Sequence, residues 1–131
     1  MEFRKRFAAI GVTVALAGTG LIATSTPASA ATCYGSAHSF NKPDGKGMMP
    51  YLANNYFQTT SNCADINIKT SKGTRVAICF YHRDGSYNYC QKTLTETKAG
   101  VWATIATNVK DGVLFRYNFN GGAFMSGQWA A

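Results

Sequence analysis

With 13 Lys and Arg against 6 Asp and Glu in 131 residues, the chain is basic, at a formal net charge of +7, and has room for one domain. Only His38 and His82 are available beside cysteines that lack C-x-x-C spacing, which argues against a zinc centre. No G-x-S-x-G, H-E-x-x-H, P-loop or EF-hand pattern occurs, so no catalytic residue, metal, cofactor or specific nucleic-acid ligand is expected.

Residues 1–30 read as an export signal. Arg4, Lys5 and Arg6 form a positive n-region, Ala8 to Ala23 an apolar segment, and Ala28-Ser29-Ala30 a signal-peptidase site. The apolar run contains Gly11, Gly18 and Gly20 and stops short of a good membrane span. Thr32 before Cys33 does not fit a lipoprotein, and the arginines are not an adjacent pair, so Sec export is the expectation. Cleavage leaves residues 31–131 as a secreted monomer with no membrane contact. Its charge is +5 once Glu2, Arg4, Lys5 and Arg6 are gone. The remaining bases are scattered singly, which suits solvated faces with a weak attraction to acidic surfaces.

In chain order, Tyr34 to Phe40 alternates loosely as a first strand. It leads into the turn formers Asn41 to Gly47, then Met48-Met49-Pro50 and a short strand candidate at Tyr56 to Thr60. Ile66 and Ile68 alternate with polar residues ahead of Ser71-Lys72-Gly73. As a hairpin loop, that tripeptide would pair Ile68 with Val76 and Ile66 with Ile78. Asp84-Gly85 divides the two most strand-like runs, setting Phe80 opposite Tyr89 and Cys79 opposite Cys90. Val76, Ile78 and Phe80 would then share a face with Tyr87 and Tyr89. Lys110-Asp111-Gly112 as another hairpin loop would pair Val109 with Val113 and Ile105 with Tyr117. A last strand follows Gly121-Gly122, at Phe124 to Trp129. Many short strands with Gly turns predict an all-β fold, a small antiparallel sandwich or barrel built from hairpins.

All four cysteines lie after residue 30, and an even count in a small exported domain reads as two disulfides. The hairpin register places Cys79 beside Cys90, which leaves Cys33 for Cys63. A strict two-residue turn would make Cys79 and Cys90 a hydrogen-bonded pair; a longer turn in the same register would put them at the closer kind of site.

The aromatic residues are the better functional inventory. Tyr81 falls on the face opposite Phe80, near Arg75, Asn88 and Lys92, and Trp102 is out of phase with Val101, Ala103 and Ile105. A ring among amides and bases suits sugar stacking or protein contact, unless a second sheet covers it. Met48-Met49 could form an inserting loop tip, as in a protease inhibitor or antimicrobial protein, or could fold back into the core. A Glu96–His82 acid/base pair steadied by Arg83 or Arg116 would suit a small hydrolase or nuclease, but turn and surface roles explain each of these residues.

The segments ATCYGSA (31–37) and CADINIKT (63–70), the CF…YC hairpin and the terminal GQWAA carry a resemblance. The chain resembles small secreted proteins of unknown function from Streptomyces and related actinobacteria. That resemblance covers most of residues 31–131; it implies export and two disulfides, and no activity. The expectation is a secreted binding module for an extracellular polysaccharide or protein.

Overall fold

The computed structural model describes residues 28–131. The expected export signal lies outside the described residues except for Ala28, Ser29 and Ala30, which belong to a helix. Among the described residues no helix is long and apolar enough to cross a membrane.

The chain begins with helix α1 (Ala28–Gly35), where a strand was expected from Tyr34. The helix ends where Ser36 donates from both its backbone N–H and its hydroxyl to the Cys33 carbonyl, at 3.2 and 2.7 Å. Ten strands follow: β1 (His38–Lys42), β2 (Met48–Met49), β3 (Phe57–Gln58), β4 (Ile66–Thr70), β5 (Thr74–Tyr81), β6 (Tyr87–Cys90), β7 (Thr95–Thr97), β8 (Trp102–Ala106), β9 (Leu114–Phe119) and β10 (Met125–Ala130).

Every strand pairing among the described residues is antiparallel. One sheet runs β1-β10-β4-β8; the other runs β2-β9-β5-β6, with β3 also on β9 and β7 also on β5. The two sheets share one core. Ile66, Ile68 and Ile105 of the first meet Val76, Ile78, Phe115 and Tyr117 of the second. An all-β fold with two disulfides is thus the observed structure, and Cys33–Cys63 and Cys79–Cys90 are the bridges.

Two expected hairpins do not form. β4 and β5 belong to different sheets, so Ile66 and Ile68 lie across the interior from Val76 and Ile78 rather than beside them. The turn is held by other segments, with Ser71 N–H donating to Ser126 O at 2.8 Å and Gly100 N–H to Thr70 O at 2.8 Å. β8 and β9 are likewise split between the sheets. Their connection is tied to the 59–65 segment, with Val109 N–H on Ala64 O at 2.9 Å and Gly112 N–H on Thr59 O at 2.8 Å. Alternation identifies which side chains point inward, and both arrangements satisfy it equally.

The β5–β6 hairpin does form in the expected register, Cys79 opposite Cys90 and Phe80 opposite Tyr89. Its turn is longer than two residues. His82 N–H donates to Ser86 O at 2.8 Å, and Gly85 takes a φ of 86° beside Asp84, whose carboxylate accepts from Ser86 N–H at 2.9 Å. The Ser86 hydroxyl also donates to that carboxylate, at 2.6 Å, and these two bonds from Ser86 hold the Asp84 carboxyl below the usual range. A bulge at the Phe80/Tyr81 step then pairs Tyr81 with Tyr87. Tyr87 therefore sides with Tyr81 instead of Phe80, which corrects the expected face. Gln91 N–H donates to Ile78 O at 2.8 Å, which makes Cys79–Cys90 the closer kind of pair, with Cα atoms 3.9 Å apart.

Two buried polar side chains lock the sandwich. Lys42, expected on the surface, is 1% exposed; its Nζ donates to the Lys46 and Ala123 carbonyls beside the Phe119 ring, and burial pushes its pKa down. Tyr117 is fully buried, and its hydroxyl donates to Asn67 O at 2.6 Å, joining one sheet to the other. Desolvation raises its pKa well above 10.0, so the unfolded chain gives up this proton first. The contribution of Tyr117 to stability is undiminished below pH 10.0 and falls as pH rises beyond it. Tyr117→Phe should cost about 1–2 kcal/mol at neutral pH by stranding the Asn67 carbonyl. It should also remove this part of the alkaline loss, as thermal melts across pH 8–11 would register.

Candidate binding site

A concavity lies where the edge strand β6 meets the β8–β9 connection. It encloses about 410 Å³, and its lining includes Phe80, Tyr81, Asn88, Tyr89 and Gln91 on one side and residues 106–110 on the other. The crossing of the chain between the sheets builds it. Because residues 107–113 do not close a hairpin, they stand off β6 and leave a gap. Gln91 spans the floor of the gap. It accepts from Ile78 N–H at 2.9 Å and donates to Ile105 O at 3.0 Å, so its amide is fixed by both sheets.

One wall is aromatic, and the other mixes polar and aliphatic side chains. Tyr89 is 52% exposed and lies against Phe80, ring centroids 5.1 Å apart. Opposite stand Thr107, Asn108 and Lys110, all exposed. Asn108 is held at a φ of 52° by its N–H, which donates to the Asp65 carboxylate at 3.0 Å. A non-glycine residue in that region is uncommon, and here it turns the loop at the mouth of the cleft.

A second feature adjoins the cleft through Tyr81. On the outer face of β5, Tyr81 packs against Tyr56 at 4.8 Å and Tyr87 at 6.1 Å. The Arg116 guanidinium lies 4.8 Å from the Tyr56 ring and 5.3 Å from Tyr81. Tyr56 is pinned by its hydroxyl, which donates to Gly85 O at 2.8 Å. Burial raises the Tyr81 pKa, against an opposing pull from Arg116.

The expected site residues separate. Tyr81 and Asn88 come together at the cleft. Arg75 shares a face with Tyr81 but pairs with Glu96 near the other end of β5, roughly 20 Å along the strand. Lys92 is exposed beyond the end of β6 and does not line the cleft. Trp102 belongs to the other sheet, half-buried where Tyr34 of α1 stacks on it at 4.5 Å and Lys69 lies 5.1 Å from its ring. Met48 and Met49 form strand β2 rather than a protruding tip, and Met49 is 3% exposed in the core. Beside it an apolar groove of about 290 Å³ carries the exposed Tyr51 and Leu52.

For the hydrolase reading, Glu96 lies on β7 opposite the start of β5 and His82 just past the end of β5, so the two are far apart. Among the described residues no cluster of His, Cys, Asp and Glu could hold a metal ion. Sequence reasoning missed Tyr56 and named Arg116 only as a partner of the Glu96–His82 pair, because their place beside Tyr81 depends on β9 pairing with β5. No family model, curated protein or solved structure matches the chain.

Proposed function

We propose that the protein is a secreted binding module that holds an extracellular polysaccharide chain in the cleft between β6 and residues 106–110. Tyr89 carries the reading. Its half-exposed ring forms one wall of an open concavity that also carries amides, a hydroxyl and a lysine. Sugar rings present C–H faces that pack on aromatic rings and hydroxyls that bond fixed amides, and this cleft offers both. An open-sided shape suits a polymer passing through better than a small molecule enclosed. Export rests on the pattern of residues 1–30, and two disulfides in a small β domain are compatible with an extracellular location.

The test is retention of the oxidised protein on insoluble peptidoglycan, chitin and cellulose. At least one polymer should retain it, and Tyr89→Ala should weaken that binding about ten-fold, the equivalent of ~1.4 kcal/mol, with no change in melting temperature. Retention by no polymer would sink the reading, as would undiminished binding by Tyr89→Ala.

A further inference from the structure

We infer that Arg116, set against Tyr56 and Tyr81, is an oxyanion subsite that selects a polysaccharide bearing carboxylate or phosphodiester groups. The inference rests on the cleft reading for the polymer, and adds its chemical class. Arg116 Nε is buried with no hydrogen-bond partner. A buried donor of this kind is rare and calls for a structural reason. The two tyrosine rings attract the cation through their faces but supply no acceptor in the plane of the guanidinium. No ion pair engages it among the described residues.

A two-oxygen anion matches the planar N–H donors of a guanidinium held against two rings. Location favours an anion on the polymer. Tyr81 lines the cleft and also contacts Arg116, so a chain leaving the cleft across β5 passes this guanidinium. On the same outer face β9 contributes Arg116, Leu114 and Asn118, and the Asp84 carboxylate of the hairpin is engaged by Ser86.

Titration of the oxidised protein with oligogalacturonate, its neutral galactose counterpart and poly(glycerol phosphate) tests this. At least one anionic polymer should bind ten-fold or more tightly than the neutral one. Arg116→Gln should bring that ratio close to one, and Arg116→Lys should restore only part of it, since an ammonium lacks the fork. The Arg116 Nε–H resonance of the unaltered protein should shift on adding the preferred anion, which reads the site without any variant. Which anion moves it separates carboxylate from phosphodiester. Equal binding of neutral and anionic polymers, a preference that survives Arg116→Gln, or a static Nε–H resonance would each overturn the inference. Neutral binding that depends on Tyr89 would in those cases leave the cleft reading standing. Anion binding through Arg116 that Tyr89→Ala leaves undiminished would do the reverse.

Discussion

Gly127→Ala should unfold this protein at temperatures where the parent is stable. Gly127 sits in β10 between Phe40 of β1 and Thr70 of β4, at a φ of 155°. A Cβ there would lie 1.9 Å from the Lys69 carbonyl oxygen and 3.1 Å from the Phe40 ring. Neither obstacle can step aside. The carbonyl belongs to the neighbouring strand, and the Phe40 ring is buried in the core. Since β10 is bonded on both sides, relieving the clash means parting it from β4 and losing a ladder. We expect a cost of about 3 kcal/mol or more, the range for forbidden backbone and core overpacking. For a domain near 100 residues that lowers the melting temperature by roughly 12–24 °C. Gly35→Ala is the control, because a Cβ at Gly35 meets nothing within 4 Å. Calorimetry should show Gly35→Ala within a few degrees of the parent; two equal melting temperatures would refute the account of Gly127.

Replacing both Cys33 and Cys63 by serine should have the next largest effect. This bridge spans 30 residues and the hairpin bridge Cys79–Cys90 only 11. Loop-closure entropy makes the longer bridge worth roughly 3.5–4 kcal/mol and the shorter roughly 2.5–3. Against a total stability of roughly 5–15 kcal/mol, either is a large share. Packing widens the difference. Cys33 and Cys63 bury against Ala130, with Tyr34 and Trp102 over them, so the bridge also seats α1 on the outer face of its sheet. Asn67 takes part, its amide directed at Cys33 Sγ at 3.6 Å and at Ala130 O at 3.3 Å. The double-serine variant should therefore show a lower denaturant midpoint and altered Trp102 fluorescence. The Cys79/Cys90 double variant should lose less, because strand pairing already sets that register. A larger loss from the hairpin bridge would contradict this order.

Much of the sheet structure was legible in the residues. Asp84-Gly85 and the flanking β-formers located the β5–β6 hairpin and its register, and through it both disulfides. Alternation marked Ile66, Ile68, Val76 and Ile78 as inward-facing, and all four are fully buried. Tyr81 was recognisable as out of phase with the core face. Lys42 was not recognisable as buried, because its hydrogen bonds go to Lys46 and to Ala123, far along the chain. Nor was the face of Tyr87, which a one-residue bulge reverses.

The sequence by itself determined what is local: an all-β chain, a hairpin with its turn, two cross-links and a set of inward residues. These follow from side-chain alternation and turn chemistry, which act over a few neighbours. Only the tertiary structure decided which strands are neighbours. The short turns at 71–73 and 107–113 admit either a hairpin or a crossing between sheets. The choice fell to backbone partners at Ser126, Ala64 and Thr59, distant in the chain. That choice brings β9 beside β5, sets Arg116 against Tyr56 and Tyr81, opens the cleft at β6, and sends Trp102 to the other sheet.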